Sequence, residues 1–502
     1  MHRALYGLAE NPALPPDLVD RMITAADTEL AEELACRPEL TRAQVVALSR
    51  CDGAAVRLAH DGRLTVDDVD PETRPRVALA LLEERSGRPG WARRLAVDAR
   101  VEHRERLAAC PDLPIDVVQI LAADREVRVV AELALWAPSD VAAQLARHPH
   151  SEVRRAVATN EATPPDTLTA LLTGNGLPPA RLCVVCEREA TPFTHDPGCE
   201  RSDCTLPPGA SCDGSHESAV LVIQQMALGN PSTPANAVVD FISHPSLLLR
   251  REVAARRDLL SRVYAQLAQD SIPWVRSTLA ENPAIDESLI RVLAADRGQD
   301  VQRRLAHHPR VPLDVLERLA GVAGIGSTLL PRIASATPRE IEDLAASSNP
   351  AMRMLLAQRR DLPAPIRDRL ALDPDAKVVK SIAPHPGLSE GQLRAMVTQH
   401  GARVVAKVAA NPDATSELLL DLARREPQVQ KVFREVARHR NATAAALLVC
   451  LVDHQARPVA ARHSALPPSV IAELVDDENW QVAEAAAANS SLPHTVMSRL
   501  IP

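Results

Sequence analysis

Aromatic residues make up only 2% of this 502-residue chain, and glycine occupies just 18 positions. With so few rings the core must be filled by Leu, Val, Ile and Ala, which suits thin helices in close contact. Scarce glycine excludes collagen-like and flexible low-complexity sequence. No run of about 18 apolar residues occurs and the opening MHRALYGLAENP has no apolar h-region, so neither a membrane span nor a signal peptide is expected. Excess positive charge is also missing: 57 basic against 65 acidic residues leave a net charge of −8, the wrong sign for a general nucleic-acid binder. A cytoplasmic protein is therefore expected, and in that reducing compartment clustered cysteines bind metal or do redox chemistry more often than they form structural disulfides.

What the chain does have is proline, 41 residues of it, at regular places. LAENPAL (Leu8 to Leu14) returns as LACRPEL (Leu34 to Leu40), LAACPDL (Leu107 to Leu113), LAENPAI (Leu279 to Ile285), LAHHPRV (Leu305 to Val311), IAPHPGL (Ile382 to Leu388) and VAANPDA (Val408 to Ala414). Taking as a marker the position that precedes the proline where one is present, Asn230, Arg256, Asn282 and His308 follow at steps of 26, as do Arg359, His385 and Asn411. From Trp136 to Asn160, and from His439 to His463, the step is 24. Each unit splits into two helical pieces. Before the marker, Val275, Leu279 and Ala280 share one face at helical spacing. After it, stretches such as PPDTLTALL begin with proline and an acidic residue, which suit a first helical turn. Neither piece buries its apolar stripe alone, so units must stack into an all-α solenoid of 24–26-residue repeats.

The pattern D-x-x-V-R-x-x-[LV]-A-x-[NH]-P-x-L-P-x-x-L-L-x-x-L-A-x-D resembles the bacterial leucine-rich repeat variant (LRV) family over nearly the whole chain outside one cysteine-rich stretch. The resemblance implies a right-handed solenoid whose units pair one α-helix with one 3-10 helix; the longer step here leaves the second piece open as α or 3-10. Units between Asp61 and Cys110 and between His308 and Arg359 are degraded, and the glycines of LAGVAGIGSTLLPRIASATP (Leu319 to Pro338) mark a bend or an irregular unit. HEAT-like and armadillo-like solenoids, with repeats of about 40 residues, fit the spacing less well.

The interruption, LCVVCEREATPFTHDPGCERSDCTLPPGASCDGSH (Leu182 to His216), holds five of the nine cysteines. Three segments follow: repeats over 1–180, a Cys-rich insertion over 181–217, and repeats over 218–502. Cys183 and Cys186 form one close pair and Cys199 and Cys204 another, a spacing that brings four thiolates to the corners of a tetrahedron. Structural zinc is the leading reading. Cys212, His195 and His216 are the substitute ligands, although His216 is also placed to lie plainly in the first turn of the following helix. The LRV resemblance adds a second reading, since proteins of that family carry a cysteine-ligated 4Fe–4S cluster; theirs sits in a small N-terminal domain, whereas these cysteines interrupt the array. A thiol or disulfide redox loop is the third reading.

Cys36, Cys51, Cys110 and Cys450 stand alone in repeats and are expected to pack as small hydrophobes. His148, His244, His307, His308, His385, His439 and His463 fall at or beside the turn between helices, where bonding to the last carbonyls explains them. Arg128, Arg154, Arg250, Arg276 and Arg353 recur in one register. They read as a paired surface ladder, or alternatively as a basic stripe for nucleic acid, against which stand the neighbouring acids and the lack of interleaved aromatics. GVAGIG (Gly321 to Gly326) lacks the Lys-Ser/Thr of a phosphate loop, and no catalytic constellation emerges. The expectation is a non-enzymatic scaffold that binds a protein partner and carries a structural metal. An iron–sulfur redox or sensor protein is the alternative and nucleic-acid binding along the arginines the weakest reading. The last unit, SSLPHTVMSRLIP, shows no polar cap, which leaves that end open to a contact with another chain.

Overall fold

The structure, a computed structural model, describes residues 2–188, 216–322 and 324–502. Among them the secondary structure is helical, apart from one isolated parallel bridge between His150 and Leu182. Most helices run seven to ten residues, and both pieces of a regular unit are α-helical: Ser151–Thr159 is followed by Pro165–Thr173, and Gln299–Ala306 by Leu313–Val322. The one-α, one-3-10 unit implied by the LRV resemblance is thus not the rule here; 3-10 turns appear at Val239–Phe241 and Gly401–Arg403. The weak stretch after Leu319 is irregular as expected, with only the short helix Pro331–Ala334 before the next full one.

The markers end the helices for a local reason. Proline disfavours the α conformation for the residue before it, and Asn230 and Asn282, which precede Pro231 and Pro283, accordingly sit in extended backbone at their helix ends; Asn160 and His439 take the same conformation without a following proline. The two residues at the start of each motif, Leu8–Ala9, Leu34–Ala35, Leu107–Ala108, Leu279–Ala280 and Leu305–Ala306, are buried against neighbouring units.

The marker side chains have a second task that the periodicity does not reveal. A helix of eight or nine residues leaves its last four carbonyls without partners inside the helix, and the marker of the next unit donates to one carbonyl at that end and to the carbonyl of the preceding marker. Asn282 Nδ2 donates to Ala254 O at 2.8 Å and Arg256 O at 2.5 Å; Asn411 Nδ2 does the same to Ala383 O and His385 O. The Asn Oδ1 then accepts the amide N–H two residues on, as from Ala284 or Asp413. Histidine reproduces both ends: His308 Nε2 meets Asn282 O at 3.0 Å while its Nδ1 accepts from Arg310 N, and His439 and His463 repeat the arrangement. Arginine has donors but no acceptor. Where it is the marker, an acid stands two positions on: Arg37 with Glu39, Arg256 with Asp258, Arg359 with Asp361. Three residue types that look unrelated therefore serve one role.

Burial lowers the basicity of His308 and His385, and the Nδ1 of His308 is held as an acceptor by a backbone donor. Above the unfolded-state value of about 6.5 both states are neutral and stability is flat with pH; below it the unfolded chain takes up protons first, so stability falls. Each such histidine contributes at most about 1.4 kcal/mol per pH unit. The variant His308→Asn/His385→Asn, which keeps the donor and cannot titrate, is expected to show a shallower decline in melting temperature between pH 7 and 5 than the parent.

Two compact units divide the chain, one of residues 1–58 with 320–502 and one of residues 59–319. In the second, helix Ser151–Thr159 packs between Val127–Trp136 and Glu217–Gly229. Asn230 Nδ2 donates at 2.9 Å to both Ala158 O and Asn160 O, so the marker contact is made across the Cys-rich stretch. In the first, helix His2–Glu10 packs on Trp480–Ala487 and touches His494–Leu500. The end that the sequence leaves open to another chain is covered by the chain's own first helices. Gly7 permits this close approach, because a Cβ there would lie 2.0 Å from the Glu484 carbonyl oxygen.

Candidate metal centre

Cys183, Cys186 and His216 converge. Their ligand atoms all lie within 4.8 Å of one another, with Cys183 and His216 buried and Cys186 half-buried. Backbone bonds fix the first cysteine: Arg181 N donates to Pro149 O at 2.9 Å and Ser151 N to Leu182 O at 3.0 Å, tying the segment to the start of helix Ser151–Thr159. A one-turn helix, Val184–Arg188, then brings Cys186 back beside Cys183, and Val185 and Ala219 pack with the pair. His216 stands at the N-cap of helix Glu217–Gly229 in left-handed backbone, φ 57°, a conformation that histidine tolerates better than branched residues do. Its Nδ1 is 3.9 Å from Cys186 Sγ. The bland placement of this histidine in a first helical turn is thereby replaced by a cap position inside the cluster.

The two sulfurs are 3.6 Å apart. A tetrahedron built on metal–sulfur bonds of about 2.3 Å has edges of about 3.8 Å, so the pair already stands at the spacing of two corners. The Cys183 amide donates to Cys186 Sγ at 3.1 Å. Two sulfurs and an imidazole nitrogen form a donor set that could hold a metal ion. Cys199, Cys204, Cys212 and His195 lie outside the described residues.

Beneath this segment lies Arg154, which is buried. It donates from Nε to His148 O at 2.6 Å and from Nη1 to Pro178 O at 2.7 Å, anchoring the loop that leads to Cys183. Burial, and then Arg147, push its basicity down. Among the arginines of that register Arg154 is the exception. Arg250, Arg276 and Arg353 each clamp an aspartate 20 residues on, as Arg276 does with Nε to Asp296 Oδ2 at 2.6 Å and Nη2 to Oδ1 at 3.0 Å, and Arg128 pairs with Glu102 and Glu105. Arg104–Asp124 and Arg457–Asp477 extend the ladder; the acid 20 residues downstream was the sequence signal for them. At Arg154 that position is Gly174. All five guanidiniums are engaged within the protein, as a paired ladder requires.

The Arg276 guanidinium holds the Asp296 carboxyl below the usual carboxylate range. Asp296→Ala, which strands a largely buried guanidinium, is expected to cost about 3 kcal/mol in chemical denaturation. Of the isolated cysteines, Cys110 and Cys450 are buried as expected, and burial pushes both thiols up to about 12. Cys51 is half-buried. Cys36 is exposed, contrary to expectation, because it occupies a position of the LAxxP motif that faces outward, as Glu10 does in the first unit.

An open cleft of about 730 Å³ lies beside His216, lined by Glu217, Val220, Leu221, Gln224 and His244–Ser246. Among the described residues no helix is long and apolar enough to cross a membrane. No protein-family model and no curated protein matches the chain. Among solved structures, it is similar to one described as a leucine-rich repeat variant with a novel repetitive structural motif, at 16% identity over 54% of this chain and 87% of that one, with a TM-score of 0.30. It is also similar to SYS-1, at 11% identity over 98% of this chain and 100% of that one, with a TM-score of 0.18.

Proposed function

We propose that this protein is a non-enzymatic scaffold of the LRV kind that binds a protein partner and carries a structural zinc site in an insertion between repeats. The observation that supports this reading most is the convergence of Cys183, Cys186 and His216 on one point. Cys183 and Cys186 supply two thiolates and His216 a third ligand, with the fourth drawn from Cys199, Cys204, Cys212 or His195. The three-part organisation, repeats over 1–180, insertion over 181–217 and repeats over 218–502, belongs to the same proposal. A segment rich in proline and glycine has little core of its own, and a bound metal orders it at a gain on the order of 10 kcal/mol. Zinc would act here by holding ligands together and by no redox step.

A second reading, a 4Fe–4S redox or sensor protein, rests on the abundance of thiols in the same stretch, five in all. One measurement separates the two. Protein purified with and without oxygen is assayed for zinc, iron and acid-labile sulfide: one zinc per chain and no colour supports the scaffold, whereas brown protein with iron and sulfide overturns it. If neither metal is present and all five thiols are alkylated, both readings fail.

A further inference from the structure

Residues 1–58 belong to the same compact unit as residues 320–502, although the whole of 59–319 separates them in sequence. The contact between them is a repeat-to-repeat contact in every detail of the marker ladder. Asn489 Nδ2 donates to Ala461 O at 2.8 Å and His463 O at 2.9 Å; Asn11 Nδ2 then donates to Ala487 O at 2.9 Å and Asn489 O at 2.7 Å; Arg37 Nη1 donates to Ala9 O at 2.6 Å and Asn11 O at 3.0 Å. Further bonds reinforce the seam. Arg3 lies 4.8 Å over the Trp480 ring, Glu10 pairs with Arg462 at 2.6 Å, and Arg21 donates to Ile501 O at 3.2 Å.

We propose that this seam also forms between two copies of the chain, with the first repeats of one copy seated on the last repeats of the other. The reason is that its two faces are different surfaces, complementary to each other, and every copy carries both. A heterologous contact of this type is satisfied equally within one chain or between two, because each partner presents the same groups in the same register. No new surface is required. What favours the single chain is proximity, so the exchanged form is populated when chains meet at high concentration before the seam has closed.

The test uses the whole chain. Chains refolded from denaturant at about 1 mM are expected to give a dimer fraction in size-exclusion chromatography with light scattering, and chains refolded at about 1 µM monomer only. Glu10→Arg and Arg462→Glu each place like charges across their own seam, yet an exchanged heterodimer of the two carries one wild-type and one reversed ion pair. Co-refolding is expected to enrich that heterodimer about fivefold over either homodimer in native mass spectrometry. Gly7→Leu, which blocks the helix approach, is expected to abolish dimers. Monomer at every concentration, or dimers as abundant with Gly7→Leu as without it, overturns the proposal.

Discussion

Asn230→Asp is expected to lower stability by about 4 kcal/mol at neutral pH. The substitution is isosteric, so packing is kept, and the acceptor that receives the Ser232 amide is kept too. What changes is the sign of the other end. A buried carboxylate oxygen replaces the amide nitrogen that donates to Ala158 O and Asn160 O, leaving two carbonyls unpaired at about 1–3 kcal/mol each and adding the cost of burying the charge. Asn230→Ala loses the bonds without adding charge and is expected to cost about 2–3 kcal/mol. Asn230→His is expected to be the mildest, because histidine fills the same role at 308, 439 and 463. Denaturant titration followed by circular dichroism gives the totals, and hydrogen exchange in Ser151–Thr159 and Glu217–Gly229 locates the loss. A wild-type value for Asn230→Asp would show that the marker ladder does not hold the stack together across the insertion.

The second large effect is on metal and is expected to be confined to it. Cys186→Ser removes one of the two sulfurs standing 3.6 Å apart and is expected to weaken zinc retention more than about 100-fold, read by competition with a chromophoric chelator. Hydrogen exchange at Cys183–Cys186 is expected to rise to that of an open loop. The helical signal and the main unfolding transition are expected to stay within about 1 kcal/mol of wild type, because the contact of Ser151–Thr159 with Glu217–Gly229 does not run through the cluster. Cys110→Ser, at a buried thiol in a repeat, serves as the control and is expected to leave metal content unchanged. Global unfolding on loss of Cys186 would mean that the insertion, and not the marker ladder, joins the repeats on either side.

The candidate metal ligands were legible to different degrees. Cys183 and Cys186 declare themselves by spacing, because a separation of three residues returns two side chains to one side of a tight turn. His216 was legible only as a substitute ligand, since its part depends on a left-handed backbone at a helix cap and on where the stack places that cap. The arginine register was visible, but its meaning lay in an acid 20 residues downstream, a distance that becomes a contact only once units are stacked.

By itself the sequence determined the repeat, its helical pieces and their ends, because these follow from local chemistry: proline excludes helix from the residue before it, and an apolar stripe at helical spacing has one side to bury. It also determined the inward Leu-Ala pairs. Only the tertiary structure decided that Asn, His and Arg markers are equivalent, since what they share is a carbonyl pair in the preceding unit and not any likeness in sequence. Only the tertiary structure decided, too, that Asn11 bonds to Ala487 and Asn489. Every unit carries nearly the same faces, so local sequence cannot say which unit a given one sits on; that choice belongs to the path of the whole chain.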